Sequence, residues 1–572
     1  MKLMLGNEAI ARGAYEAGVK LVAAYPGTPS TEVTETVAKY DEVYAEWAPN
    51  EKVAFEVAVG ASYAGARAMV CMKHVGVNVA ADPMFTAAYT GVNGGLVILV
   101  ADDPGMHSSQ NEQDSRYYAI SAHIPMLEPS DSAEAKAFTA LAFDISEKYD
   151  TPVFLRTTTR LAHSQSFVEE AQRREVAVKP YSKDITKYTM MPSSAIGRHI
   201  KVEERENRLK NDVESFDINR VEKGDDSIGI VCSGVVYQYV KEAIPNASVF
   251  KLGMVYPLPV ESIKKFAKSV KRLIVVEELE PVIENTLKAN GIECEGKNLF
   301  SVQGELSVAT IKEKLLGDKN ENVSFDLPVR PPVLCAGCPH RGVFYVLKKL
   351  GLTVSADIGC YTLGAGAPLS AVDTVLCMGA SIGIAHGFKK ALREEAAKKV
   401  VSVIGDSTFI HSGITGLIDA VYNQSNLTLI ILDNSTTGMT GHQDHPATGK
   451  TLKGEPAPIL NLVDVCRSCG AKSINVVDAY NLKAVEDAVK AAVDEQAVSV
   501  VICQRPCAPL NRNYPSPLYV EGCKKCGACL KIGCPAIEKQ KEGNVIINPT
   551  QCVGCAVCSQ LCKFGAIKGG KK

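Results

Sequence analysis

No charge of one sign dominates this sequence of 572 residues. Its 62 Lys and Arg stand against 64 Asp and Glu, a formal net charge of −2, and the missing basic excess argues against a nucleic-acid partner. No apolar run reaches the ~18 residues of a membrane span, so no membrane is expected. The start, MKLMLGNEAIARGAYEAG, lacks the charged-then-apolar layout of a secretory leader, because Gly6, Asn7 and Glu8 interrupt it. A cytoplasmic location is therefore expected, and a reducing cytoplasm disfavours disulfides. The nineteen cysteines then need another account: eight crowd into the last fifty residues and eleven are scattered. The chain is also too long for one hydrophobic core, so three or four domains are expected.

Through residues 1–190, short apolar runs alternate with helical stretches. VKLVAAYPGTP, ARAMVCMKHVG, GGLVILVADDPG and DTPVFLRTTTR each read as a buried strand ending in a turn. Such alternation predicts a parallel sheet covered on both faces, with ligands bound beyond the carboxyl ends of its strands. Residues 191–226 are charged and nearly free of apolar runs, which reads as a surface helix and linker. Residues 227–328 form a smaller α/β segment with SIGIVCSG and KRLIVVEELEP as strands. After a Pro-rich boundary, residues 329–510 give a third α/β unit, and 511–572 a cysteine-rich tail.

The tail holds two runs. CVGCAVCSQLC, with Cys552, Cys555, Cys558 and Cys562, has the spacing of a bacterial-ferredoxin [4Fe–4S] site. In CKKCGACLKIGCP, the cysteines Cys523, Cys526 and Cys529 fit the same spacing, but Cys534 arrives one residue late. In two-cluster ferredoxins the fourth cysteine of each run serves the other cluster. Cys523, Cys526, Cys529 and Cys562 are therefore expected around one cluster, and Cys552, Cys555, Cys558 and Cys534 around the second. Zinc is the alternative and fits the spacing poorly. The lysine excess of the tail solvates a small domain or steers an acidic electron carrier.

In the third unit the strand KVVSVI runs into Gly405-Asp406-Ser407, and LTLIIL ends in Asp433-Asn434. A Gly-Asp turn followed by an asparagine after the next strand resembles the thiamine-diphosphate motif, with Ser407 where a second glycine is common. The resemblance implies Mg2+ held by Asp406, Asn434 and the Thr436 carbonyl, bridging protein and diphosphate. Gly405 would let the backbone approach the phosphates. Gly379, Ala380 and Ser381 form a small-residue helix start suited to phosphate, and Asp357 and Cys360 lie in another turn at a strand end. His442 either approaches the diphosphate or is a satisfied loop histidine. Cys335 and Cys338 lack a nearby second pair for zinc and are expected to shape a loop beside the cofactor.

Two thiamine-type α/β units, a middle segment and an eight-cysteine tail together resemble the 2-oxoacid:ferredoxin oxidoreductases. The likeness is greatest to the large-subunit family of the indolepyruvate enzymes and spans essentially the whole chain. It is carried by GNEAIARGAYEAGV, AYPGTPSTE, NEKVAFEVAVGASYAGARAMVCMKHVGVNVAADP, DDPGMHSSQNEQDSR, VLCAGCPHRG, SADIGCYTLG, GMTGHQ and the tail. The resemblance implies oxidative decarboxylation of aryl pyruvates, with indolepyruvate giving indoleacetyl-CoA and carbon dioxide. Electrons would pass through the tail clusters to an external ferredoxin, and coenzyme A would take the acyl group. It further implies a separate small subunit in an α2β2-type complex. Glu51 matches the acid that faces the aminopyrimidine ring, and Glu56 is its local competitor. Thr28 matches a threonine near the substrate; His107, Ser108, Ser109 and Arg116 are pocket candidates, or else plain loop residues. The same chemistry on pyruvate or 2-oxoglutarate, and an electron-transfer subunit with a decayed thiamine site, remain alternatives.

Overall fold

The computed structural model describes residues 1–318, 327–328, 330–511 and 513–569, and the chain divides into two compact units, Met1–Phe325 and Asp326–Lys572. Among the described residues, no helix is long and apolar enough to cross a membrane.

In the first unit a seven-stranded sheet runs in the order Met254–Tyr256, Met126–Leu127, Val153–Thr158, Leu96–Asp102, Ala68–Lys73, Leu21–Ala24 and Tyr44–Trp47. All neighbours are parallel except the first pair. Leu96–Asp102 reads LVILVAD and is buried at every residue, the pattern of a strand covered on both faces. The helices Glu51–Tyr63 and His74–Thr90 supply small residues to the core, among them Ala54, Ala58, Ala80 and Ala88.

Residues beyond the first sheet are tied to it. A second sheet, in the order Leu273–Val276, Asp225–Ser233, Ala247–Leu252 and Arg220–Glu222, has only its last pair antiparallel. Its Val231, Phe250 and Val275 share one buried cluster with Val70, Ile98 and Phe154. The strand Met254–Tyr256 follows directly and closes the edge of the first sheet. The charged stretch forms the helix Pro192–Asp212, opened by proline at its first turn. Its Arg205 is buried and donates to the Ala88 and Asp150 carbonyls at 3.0 and 3.1 Å.

The second unit has a five-stranded, fully parallel sheet: Thr353–Ala356, Val400–Gly405, Thr428–Asp433, Ser499–Gln504 and Ser473–Asp478. The tail adds two antiparallel pairs, Tyr519–Val520 with Ile567–Lys568 and Ile537–Lys539 with Val545–Ile547. Its core does not stand apart. Ile532, Val545, Val557 and Cys558 pack in one buried cluster with Val343, Phe344 and Leu347 of the helix His340–Lys349.

Candidate functional site

Val400–Gly405 is hydrogen-bonded to Thr428–Asp433, so the residues just past their carboxyl ends are neighbours. Asp406 follows the first strand and Asn434 the second. The Asn434 amide stands 3.0 Å from Asp406 Oδ1 and 2.9 Å from the Thr436 carbonyl oxygen. Turned one way, the amide donates to both. Turned the other way, three oxygens face one another, an arrangement that a bound cation relieves. One carboxylate and two neutral oxygens suit a hard divalent ion whose remaining positions phosphate oxygens can fill. Asp406 Oδ2 accepts the Ser435 N–H at 2.8 Å, and Ser435 adopts a left-handed φ of 57° to deliver it, a conformation costing on the order of 1–3 kcal/mol. His445 Nε2 lies 3.3 Å from the same oxygen. Burial, reinforced by Asp406, holds the Asp433 carboxyl above its ordinary range. His340, fully enclosed nearby, is pushed down to about 4 by burial against the pull of Asp406.

The residues expected to cradle phosphate are engaged otherwise. Asp357 accepts from the N–H groups of Gly379 and Ser381 at 2.8 and 3.0 Å, and the Ala380 N–H donates to the Cys377 carbonyl at 3.1 Å. The helix start is thus capped by a carboxylate, and Asp357 serves the fold where cofactor contact was expected. Its burial raises its pKa. The reason for Gly405 also changes: a Cβ there would come 2.6 Å from the Tyr361 ring. Ser407 donates its N–H to Asp406 Oδ1 at 2.9 Å and receives the Thr437 hydroxyl at 2.9 Å. His442 stands by a thiol, with Nε2 3.6 Å from Cys507 Sγ.

In the tail, one cavity is lined by Cys523, Cys526, Cys529 and Cys562. Cys534 faces the other run: burial raises the Cys558 thiol, and Cys555, Cys534 and Cys552 add to it. The two runs wrap alike. Lys525 and Gly554 occupy matching positions with φ of 57° and 66°, as do Gly527 and Ala556 at 69° and 59°. Main-chain N–H groups point at the sulfurs: Lys525 to Cys523 at 3.4 Å, Leu518 to Cys552 at 3.3 Å and Ala566 to Cys562 at 3.3 Å. Donors of this kind stabilise negative charge on sulfur.

A further thiol group escaped the sequence reading. Burial pushes the Cys338 thiol up to about 12, and Cys360 and Cys507 add to it. Cys507 is likewise pushed up to about 12 by burial, then by Cys360, Cys335 and Asp406. The pair that Cys335 and Cys338 lacked comes from Cys360, past the strand Thr353–Ala356, and Cys507, past Ser499–Gln504. The four thiols act on one another electrostatically but do not close to the spacing of a single metal ion's ligands, which leaves room only for a larger group such as an iron–sulfur cluster. The only signal in the sequence was that each sits at a strand end or a boundary.

In the first unit, Asn50 caps the helix Glu51–Tyr63 by accepting the Val53 N–H, and this buries Glu51 at its first position. A Cβ at Gly76 would lie 2.7 Å from the Glu51 carboxylate, so only glycine fits there. Glu56 is exposed and paired with Lys52. Thr28 is half-buried, and the preceding Gly27 packs on Lys73, whose Cβ would be 3.1 Å from a Cβ at Gly27. Lys73 ends the strand Ala68–Lys73 and His74 opens the helix His74–Thr90. Lys73 Nζ donates to Ser108 O at 2.7 Å, and burial lowers its pKa to about 8 against the opposing Asp103. Ser109 donates to Asp103 at 2.5 Å, and half-exposed His107 lies 3.2 Å from Glu305.

Arg116 is held inside the first unit. It is 1% exposed, paired with Asp114 and Glu277 at 2.5 Å each, and it donates to the Glu278 and Glu280 carbonyls. Arg156 beside it bridges Asp102 and Glu128 at 2.7 and 2.5 Å. With all three guanidinium nitrogens bonded, Arg116 locks the first sheet to the segment after Val276.

One parallel-sheet unit buries a glutamate at a helix start, and the other brings Asp406, Asn434 and the Thr436 carbonyl together at two strand ends. Residues 12–215 match the family described as pyruvate flavodoxin/ferredoxin oxidoreductase, thiamine diP-bdg, and residues 357–503 match the thiamine pyrophosphate enzyme, C-terminal TPP binding domain. The chain is 42% identical to indolepyruvate oxidoreductase subunit IorA of Archaeoglobus fulgidus, over 99% of this chain and 97% of that one. It is 41% identical to the subunit of the same name from Pyrococcus horikoshii, over 99% and 96%. A solved 2-oxoglutarate:ferredoxin oxidoreductase from Magnetococcus marinus is more distant, at 19% identity and a TM-score of 0.46 over 55% of this chain and 65% of that one. The chain belongs to the indolepyruvate oxidoreductase subunit IorA family.

Proposed function

We propose that this chain is the large subunit of an enzyme that oxidatively decarboxylates aryl pyruvates, indolepyruvate foremost, delivering electrons to a ferredoxin and the acyl group to coenzyme A. A small partner subunit completes it in an α2β2-type assembly. The observation that carries the reading is the convergence of Asp406, Asn434 and the Thr436 carbonyl at two neighbouring strand ends. Those three would hold Mg2+, and thiamine diphosphate, when bound, supplies the electron sink for loss of carbon dioxide. Glu51, buried at a helix start, would hold a proton against the aminopyrimidine nitrogen, a role its exposed competitor Glu56 is poorly placed to take. The two tail thiol sets would each hold a [4Fe–4S] cluster, and the Cys335, Cys338, Cys360 and Cys507 group a third nearer the diphosphate turn. The aryl-pyruvate assignment is supported by the full-length relatives named for indolepyruvate.

The test is an anaerobic assay of the chain with its small subunit, after supply of Mg2+, thiamine diphosphate, iron and sulfide. Viologen reduction dependent on coenzyme A is followed over a panel of 2-oxoacids. Indolepyruvate and phenylpyruvate should outrun pyruvate and 2-oxoglutarate. A faster rate with pyruvate would overturn the substrate assignment, and no bound thiamine after supply would overturn the reading as a whole.

A further inference from the structure

The helix His340–Lys349 starts two residues after Cys338, and its second residue, Arg341, is 5% exposed. Each hydrogen bond of its guanidinium goes to a main-chain carbonyl. Nε donates to Cys335 at 3.0 Å and Nη2 to Leu334; Nη1 donates to Ile532 at 3.4 Å and to Gly533. Two of those carbonyls belong to the loop that carries Cys335, and two to the loop that leads into Cys534. Arg341 therefore clamps the core thiol group to the tail. Among the described residues no carboxylate forms an ion pair with it.

A buried cation without an anionic partner is costly, because carbonyl dipoles solvate the charge without neutralising it. Arg116 and Arg156 each sit between two carboxylates, whereas Arg205, like Arg341, is buried against main-chain carbonyls; what sets Arg341 apart is that its carbonyls belong to two cysteine loops. The carbonyls it bonds sit in the loops of Cys335 and Cys534. Burial lowers its pKa, and Cys534, Cys338, Cys335 and Cys555 push it back up. Two of these four are in the core group and two in the set around the second tail run. As iron-bound thiolates they carry the negative charge that Arg341 lacks.

We propose that Arg341 is the shared counter-charge of two cluster sites, one on Cys335, Cys338, Cys360 and Cys507 and the other on Cys534, Cys552, Cys555 and Cys558. The inference rests on the cluster reading above and goes beyond it. Each cluster takes up one electron at a time, which makes it one charge more negative. A guanidinium fixed between the two stabilises that reduced state in both and raises both potentials together. It touches neither substrate nor cofactor, so it is a positioning and tuning residue.

The experiment uses the full chain, reconstituted anaerobically with iron and sulfide, in the wild type, Arg341→Lys and Arg341→Gln. Iron content is measured, and each cluster is titrated by its electron paramagnetic resonance signal in redox-mediated steps. Arg341→Gln should keep its iron and lose at least tenfold in the equilibrium constant for reduction of one or both clusters, a fall of about 59 mV for a one-electron couple. Arg341→Lys, which keeps the charge and gives up most of the carbonyl clamp, should stay within threefold of wild type. Unchanged potentials in a fully loaded Arg341→Gln protein would overturn the proposal, as would a Lys variant that falls as far as the Gln variant. If the Gln variant fails to hold iron, the Lys variant decides: full iron and wild-type potentials support the charge, and lost iron refutes it. Wild-type protein that takes up no iron beyond the tail sites sinks the core cluster itself, a different failure from that of Arg341.

Discussion

At the carboxyl edge of the first unit's sheet, buried charges meet their opposites; at the same edge in the second unit, a carboxylate and a carbonyl meet across one amide that can turn either way. Arg116 lies between Asp114 and Glu277, and Arg156 between Asp102 and Glu128. Asp406 and the Thr436 carbonyl instead flank the Asn434 amide, which either donates to both or turns its oxygen toward a bound cation. Both places obey the rule that ligands bind beyond strand ends. The rule alone would have chosen Arg116 as readily as Asp406. What separates them is whether the fold has already satisfied the group. A charge with all its partners in place stabilises structure, whereas converging acceptors wait for something from outside.

Breaking the second edge should cost most. Asp406→Ala removes the one carboxylate of the Mg2+ set and should lower turnover on the order of a thousandfold, since metal stabilisation is worth several kcal/mol. Titration calorimetry with Mg2+ and thiamine diphosphate should show the lost binding directly. Retained binding would mean that the oxygens converge for another reason. Glu51→Gln is the next largest effect. The amide fills the same space against Gly76, so cofactor affinity should stay within threefold while turnover falls about 100-fold or more. Glu56→Gln serves as the control and should change nothing, because its carboxylate is exposed beside Lys52.

At the satisfied edge the cost should appear in stability instead. Arg116→Met leaves Asp114 and Glu277 buried without their cation, which costs about 3–5 kcal/mol. Urea unfolding of the variant should show it, while the Michaelis constant for the 2-oxoacid in the folded fraction stays unchanged. A large rise in that constant with normal stability would return Arg116 to the substrate pocket and erase the contrast between the edges.

How much of this was legible follows the same division. The strand runs LVILVAD and LTLIIL announced both parallel sheets, because strands buried on both faces must be apolar throughout. Asp406 and Asn434 could be picked out because neighbouring strands deliver them at a recognisable spacing. The fate of Arg116 could not, since Glu277 is far along the chain and only folding brings the two together. The helix-start partners of Asp357, Gly379 and Ser381, could not be read either, because folding alone brings them to its turn. The core thiols were hidden by distance too, Cys360 and Cys507 being far in sequence from Cys335 and Cys338 yet acting on their neighbours' charge in the fold. Local chemistry with a fixed spacing was readable, and pairing across strand ends was not.

The smallest effect tests the first edge from within. Burial pushes the Asp114 carboxyl up, but Arg116 and Arg156 outweigh it and hold it at about 2. Glu278, in the same buried region, has the Leu306 N–H at 2.9 Å as its main counterweight, and burial carries it up to about 7. The two carboxyls therefore act oppositely on stability. Asp114 stabilises the fold above its ordinary value of 3.8, and that contribution disappears as pH falls toward about 2. Glu278 holds a proton in the folded chain that the unfolded chain releases between its ordinary 4.5 and about 7, so its contribution shrinks as pH rises through that window. Glu278→Gln cannot ionise and can still accept from Leu306. Urea midpoints at pH 5 and pH 7.5 should therefore fall further in the wild type than in the variant, with the two proteins converging at pH 5. Parallel behaviour at both pH values would show that Glu278 is already ionised in the folded chain, and that the first edge tolerates an unmatched charge after all.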